Sequence, residues 1–228
     1  KYVVSQQIAG SMGSNGGGKT KIVNLNCGKS KVESGSTPFD GQYVSGLDRD
    51  DIARRGIART FQNIRLCKGL SVVENLLAAR DPTARYGLVS ALLGLPSCKN
   101  SDRVNREQCM EYLELVGLAG YRDEDPMNLP YGLQRRVELA RALARNPRLV
   151  MLDEPAAGLN PSEVADFIVL IQNLRRKSGF GILIIEHRMT VVNELYDYIY
   201  VLNFGELFAH GLPERIRNDP EVIKAYPC

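Results

Sequence analysis

Glycine, lysine and threonine recur in one short stretch, Gly13-Ser14-Asn15-Gly16-Gly17-Gly18-Lys19-Thr20, with the spacing G-x-x-x-x-G-K-T. Glycines let the backbone curl so that successive N–H groups point inward at a phosphate, and Lys19 adds a charge for the β- and γ-phosphates. The Thr20 hydroxyl suits a Mg²⁺ ligand. Far along the chain an apolar run ends in the carboxylate pair Asp153-Glu154. Hydrolysis of a phosphoanhydride needs such a pair: one carboxylate to hold Mg²⁺ through water, the other to orient or deprotonate the attacking water. His187, in Ile184-Ile185-Glu186-His187, can hydrogen-bond the γ-phosphate or the hydrolytic water, with a purely structural histidine as the competing reading. An accidental glycine-rich loop, and a helix-capping Asp beside a surface Glu, are the bland alternatives. Each loses ground once the other motif is present.

These residues act together only if the fold brings them to one edge. Leu149-Val150-Met151-Leu152 and Ile182-Leu183-Ile184-Ile185 read as buried strands of a parallel sheet. Between them runs a helix with Asn160 as cap, Pro161 at its first position and Glu163 completing a capping box. Val164, Phe167, Ile168, Ile171 and Leu174 share one face of it. Strand, helix, strand in this order implies a right-handed crossover, with Asp153-Glu154 and His187 at the carboxyl edge where open α/β sheets bind ligands. Ile8-Ala9-Gly10-Ser11-Met12, ahead of the glycine loop, is a poor strand with a glycine in its middle. Ile22, Val23, Leu25 and Asn26 support a helix after the loop.

Tyr198 to Leu202 and Glu206 to Ala209 form a closing hairpin, and short helices follow Pro213 and Pro220. His210 has no chemical companions in the sequence and reads as structural. From about Leu70 to Leu129 the signals are helical, at Val72 to Arg80 and Asp102 to Val116, with a loop-like stretch from Asp81 to Lys99. A helical insert between two halves of an α/β core is the natural organisation. Gly132 to Arg145 then starts a helix leading back toward the sheet.

With 228 residues the chain can bury a substantial core, and a net charge of +3 calls for no polyanionic partner. The basic runs Arg54-Arg55, Arg135-Arg136 and Arg175-Arg176-Lys177 lack interleaved aromatics and read as solvated helix faces rather than a nucleic-acid site. Five scattered cysteines without C-x-x-C argue against a zinc site or a disulfide framework and for reduced thiols. Apolar stretches such as Leu88 to Leu95 are too short to cross a bilayer. No signal peptide precedes the glycine loop, and with Lys1 in place of a Met the N-terminus is expected to be incomplete.

The glycine loop, Ala58-Arg59-Thr60-Phe61-Gln62-Asn63, Leu149 to Pro155, Ala157-Gly158-Leu159-Asn160 and His187 together resemble an ATPase of ABC transporters. The likeness covers nearly the whole chain. Ile57 to Leu66, Leu152 to Pro161, Ile185-Glu186-His187-Arg188-Met189 and the closing Ile216 to Tyr226 are similar to the ATP-binding subunit of branched-chain amino acid importers. The resemblance implies an α/β P-loop NTPase with a mostly parallel sheet core and an inserted α-helical subdomain. Its parts would be the first core half over 1–63, the helical subdomain over 64–135, and the second core half with hairpin and helices over 136–228.

It implies ATP and Mg²⁺ as ligands. Gly13, Ser14, Asn15, Gly16, Gly17, Gly18, Lys19 and Thr20 would wrap the phosphates, Thr20, Gln62 and Asp153 would surround the metal, Glu154 would be the catalytic base, and His187 would steady the γ-phosphate. Tyr131 and Gly132, in a signature loop, would close over the nucleotide of a second ATPase subunit paired head to tail. Two membrane-spanning permease subunits and an extracytoplasmic substrate-binding protein would complete the importer, with this chain peripheral on the cytoplasmic face of the plasma (inner) membrane. An exporter of lipid or polysaccharide, or a weakly hydrolysing regulatory subunit, are the alternatives.

Against the family pattern Leu-Ser-x-Gly-Gln, the signature loop reads Leu129-Pro130-Tyr131-Gly132-Leu133-Gln134. Pro130 replaces the serine hydroxyl and also removes a backbone donor. Lys21 stands where a second hydroxyl is usual, Ser14 replaces a proline, Pro38 interrupts an expected strand before Phe39-Asp40-Gly41, and no aromatic matches the adenine-stacking position, Tyr2 being too near the loop.

Overall fold

The computed structural model describes residues 7–13, 24–25, 27–28, 30, 34–60, 62, 64–80, 96–177 and 179–225. They form two compact units, Lys1–Gln62 with Pro147–Cys228, and Asn63–Asn146.

In the first unit, β1 (Ile8–Gly13) is followed by two very short strands, β2 (Pro38–Phe39) and β3 (Gln42–Tyr43), then α1 (Arg49–Arg54) and β4 (Ile57–Arg59). Pro38 does not break β2. It pairs with Tyr43 across the turn Asp40-Gly41, whose residues take φ of +49° and +76°. A two-residue ribbon asks little of its backbone donors, so proline is tolerated there. After the second unit the chain returns as β5 (Leu149–Asp153).

The helical unit contains α2 (Val72–Arg80), α3 (Pro96–Leu115) and α4 (Tyr131–Leu143), joined by 3-10 turns at Ala119–Tyr121 and Pro126–Asn128. Val72, Leu76, Leu113, Leu118, Val137 and Ala140 are fully buried in it. Asn75 staples the segment ahead of α2: its amide donates to the carbonyls of Cys67, Leu70 and Ser71, and its oxygen accepts from the N–H of Cys67. The expected loop from Asp81 to Lys99 is shorter at its far end, because Pro96 opens α3, a position where a missing N–H costs nothing. Residues 81–95 lie outside the described part.

From β5 the chain runs through α5 (Pro161–Lys177), β6 (Gly181–Ile185), α6 (Met189–Leu195), the hairpin of β7 (Tyr198–Asn203) and β8 (Glu206–Gly211), and the helices α7 (Pro213–Arg217) and α8 (Pro220–Ala225). The capping box of α5 is made on both sides: Glu163 N–H donates to Asn160 Oδ1 at 3.0 Å and Asn160 N–H to Glu163 Oε2 at 2.9 Å. The apolar face, Val164, Phe167, Ile168, Ile171 and Leu174, is buried as its spacing requires.

Among the described residues, six strands form one sheet in the order β4-β5-β6-β1-β7-β8. Every neighbouring pair is parallel except the β7–β8 hairpin. The weak-looking β1 is therefore the strand between β6 and β7. Gly10 in its middle has a steric reason: a Cβ there would lie 1.8 Å from the ring of Tyr196, which is buried beside it. Tyr196 in turn donates its hydroxyl to the Ile184 carbonyl at 3.3 Å, and burial together with the nearby Glu186 charge holds its phenol well above the usual range. His210 is not alone: Tyr198 Oη lies 2.6 Å from its Nδ1 across the hairpin, and Tyr200 stacks on its ring. A cross-strand partner is invisible to a reading along the chain.

Candidate active site

Parallel pairing puts the carboxyl ends of β1, β4, β5 and β6 at one edge. Asp153 pairs with Ile185, and Ile185 with Ser11, so β5 and β6 end level with Ser11, just before β1 ends at Gly13. The chain leaves β1 at Gly13 on this edge. Ser14, Asn15, Gly16, Gly17, Gly18, Lys19 and Thr20 lie outside the described residues, as do Tyr2, Lys21, Phe61 and Asn63. Of the helix expected after the loop, Asn24 and Leu25 are helical.

Asp153 is the last residue of β5, and its side chain is only 6% exposed. Arg59, at the end of β4 and equally buried, donates from Nη2 to Asp153 Oδ2 at 2.7 Å and from Nη1 to Asn24 Oδ1 at 2.8 Å. One guanidinium thus ties the segment after the glycine loop to the carboxylate at the sheet edge, and its planar fork suits two acceptors at once. Cys27 sits beside this pair against Met151. Burial pushes its thiol up to about 11, with the Arg59 charge pulling the other way.

Glu154 follows in a left-handed conformation, φ +47°, uncommon for a residue with a Cβ. Its N–H donates to the Ile185 carbonyl at 2.9 Å, and its own carbonyl accepts from Ala157 at 3.0 Å. The strained turn swings the side chain out of the strand line. Gln62 Nε2 donates to Glu154 Oε2 at 2.7 Å, and His187 Nδ1 lies 4.0 Å from Glu154 Oε1. Glu154 is 20% and His187 57% exposed, so both reach solvent at the edge.

Asp153, at the end of β5, and Gln62, Glu154 and His187, from the loops after β4, β5 and β6, are thereby brought to one edge. Tyr131 and Gly132 belong to the helical unit, at the start of α4. Tyr131 Oη accepts from Arg135 Nη2 at 2.8 Å, and that guanidinium lies 5.3 Å from the ring centre. Pro130 is the N-cap of α4 and makes no side-chain capping bond, as expected for a residue without a polar side chain.

Reading along the chain passed over Arg59 and Glu186. Arg59 had a signal, a cation closing the apolar Ile57-Ala58, but its partner is distant in sequence. Glu186, 1% exposed, accepts from the N–H of Ala156, His187 and Arg188. It directly precedes His187 after an apolar strand, which was the available clue.

The metal donors expected here are oxygens, the Asp153 carboxylate and the Gln62 amide, a hard set of the kind Mg²⁺ takes. Asp153, oriented by Arg59 through Oδ2, would with Gln62 hold the ion. The residues present fit the ion.

A parallel sheet whose strand β1 leads into the sequence G-x-x-x-x-G-K-T, and whose same edge carries a strand-ending Asp-Glu and a histidine, defines a P-loop α/β ATPase. A family model described as "ABC transporter" matches residues 2–157, and one described as "Branched-chain amino acid ATP-binding cassette transporter" matches residues 206–226. The chain is 42% identical over 221 residues to the high-affinity branched-chain amino acid transport ATP-binding protein LivG of Escherichia coli K12, covering 97% of this chain and 87% of LivG. It is 42% identical over 224 residues to the corresponding protein BraF of Pseudomonas aeruginosa, covering 98% and 88%. Against the lipopolysaccharide export ATP-binding protein LptB of Haemophilus influenzae the identity is 34%, over 98% of this chain and 87% of LptB. The crystal structure of the ADP conformation of MJ1267, an ATP-binding cassette of an ABC transporter, superposes with a TM-score of 0.82 at 28% identity, covering 98% of this chain and 89% of that one. The chain belongs to the ABC transporter family, as an ATP-binding, ATP-hydrolysing subunit.

Proposed function

We propose that this chain powers an ABC importer of branched-chain or similar hydrophobic amino acids. The carrying observation is the convergence of Gln62, Glu154 and His187 beside Asp153 at the carboxyl edge of the sheet. In this reading Gly13 to Thr20 wrap the triphosphate of ATP, with Lys19 on its terminal phosphates. Glu154 orients the attacking water and takes its proton, and the turn at φ +47° aims the carboxylate out of the strand for that task. His187 steadies the γ-phosphate. Thr20, Gln62 and Asp153 hold Mg²⁺, which when bound neutralises charge developing on the phosphates. Gln62, which would be one of the metal's ligands, also donates to the proposed base Glu154.

The substrate class rests on the likeness to LivG and BraF. The assembly follows it: a second ATPase subunit paired head to tail, two membrane-spanning permease subunits, an extracytoplasmic binding protein, and a peripheral place on the cytoplasmic face of the inner membrane. No helix among the described residues is long and apolar enough to cross a membrane. The domain reading stays a proposal: core halves over 1–63 and 136–228 flank a helical subdomain over 64–135, although the boundary at 135 falls inside α4, which lies whole in the unit Asn63–Asn146.

The altered signature loop adds an asymmetry. Pro130 and Leu133 offer no side-chain donor to a partner's γ-phosphate, so the composite site that borrows this loop is weak while the site on Lys19 and Glu154 turns over. Lipid or polysaccharide export is the second reading, favoured by the likeness to LptB. The test is uptake of radiolabelled leucine into vesicles carrying the full complex. Lys19→Ala is expected to abolish it, and normal uptake by that variant refutes the assignment.

A further inference from the structure

Among the described residues Glu186 is the most deeply buried acid, and its two oxygens serve different loops. Oε1 accepts from the N–H of Ala156 at 2.9 Å, two residues beyond Glu154. Oε2 accepts from the N–H of His187 at 3.1 Å and of Arg188 at 3.3 Å. Arg188 adds a second tie in the opposite sense, donating from Nη1 to the Leu159 carbonyl at 3.2 Å. The loop after β5 and the loop after β6 are thus laced together just behind the two side chains that face the edge.

All three groups aimed at Glu186 are N–H donors. A carboxylate has only acceptor sites and satisfies them all, whereas a carboxamide turns an NH₂ toward at least one backbone N–H. Burying a charge is an expensive way to fill space, and an apolar side chain would have filled it more cheaply. What the charge achieves here is a fixed offset between two backbone segments, one on each oxygen.

We propose that Glu186 is a positioning residue that sets the spacing between Glu154 and His187 by bridging their loops. The proposal rests on the ATPase roles given to those two residues above. Glu186 acts through the backbone N–H groups of Ala156, His187 and Arg188.

The test uses the full chain in its transporter complex, with kcat and KM for ATP, binding of a fluorescent ATP analogue, and circular dichroism. Glu186→Gln is expected to lower kcat tenfold or more while KM and analogue affinity change less than threefold. Glu186→Asp keeps an acceptor-only group and is expected to recover a clear part of the loss. Arg188→Met removes only the second tie and is expected to lower kcat a few-fold, and it decides the matter together with Glu186→Asp if Glu186→Gln fails to fold. A Glu186→Gln variant with kcat within twofold of wild type overturns the proposal. So does a joint fall of kcat, affinity and folded signal in which Asp is no better than Gln. Wild type and Glu154→Gln are run alongside. If wild type does not hydrolyse ATP, or Glu154→Gln matches it, the assigned ATPase roles have failed. If both controls behave and Glu186→Gln is unaffected, only the positioning role has failed.

Discussion

At Glu154 the backbone and the side chain pull in opposite directions, and substituting the residue separates them. Its φ of +47° suits glycine, while the proposed chemistry needs a carboxylate. Holding an L-residue left-handed costs about 1–2 kcal/mol. Glycine relieves that strain but loses about 0.5–1 kcal/mol through its greater freedom in the unfolded chain. Glu154→Gly and Glu154→Ala lose the same hydrogen bond from Gln62, so that term cancels between them. The glycine variant should then be the more stable by about 0.5–1 kcal/mol. At about 2–4 °C per kcal/mol for a chain of this size, that is a rise of a few degrees at most. Both should lose ATP turnover. Glu154→Gln, which keeps the Gln62 bond and the strain, should lose turnover with little change in melting temperature. Parallel thermal unfolding and phosphate-release assays measure all three. An alanine variant as stable as the glycine one would refute the strain, and turnover surviving in any of them would refute the role of the carboxylate.

Other perturbations probe the supports of the site. Gly10→Ala drives a Cβ into the Tyr196 ring and should destabilise by about 1–3 kcal/mol or more in urea unfolding; in a double-mutant cycle Tyr196→Ala should be less damaging in that background than in wild type, and simple additivity would exclude the contact. Arg59→Met strands the buried Asp153 charge and should cost about 3–5 kcal/mol, with much of it restored by adding Asp153→Asn; no restoration would mean that the pair is not the cause. The Cys27 thiol stays protonated in the folded chain up to about pH 11 but ionises near 9 once unfolded. The unfolded state therefore binds fewer protons between those values, and stability falls as pH rises through the window. Wild type should lose more stability than Cys27→Ala from pH 9 to 11, and equal losses in the two would remove burial of the thiol as the cause.

Local chemistry announced much of this protein. The Asn160 and Glu163 capping box, the α5 face from Val164 to Leu174, and the buried runs of β5 and β6 are written in near-neighbour spacing, which is why they were legible before any fold. So was the candidacy of Asp153, Glu154 and His187, because a strand ending in such residues at a parallel-sheet edge has few other uses. What the sequence left open is whatever depends on partners far along the chain. The middle glycine of β1 reads as a flaw along the chain, yet the Tyr196 ring fills the space of its missing Cβ. Pro38 looked like an interruption and is an edge residue of a two-residue ribbon. Arg59 and Glu186 carried no readable role because an ion pair or a bridging carboxylate is defined by what it meets, and that is decided only when the sheet order β4-β5-β6-β1 sets strand ends side by side. Residue type and spacing determined which groups can do the chemistry. Register and burial decided which of them face one another, because hydrogen bonds and charges act over a few ångströms of space and not along the chain.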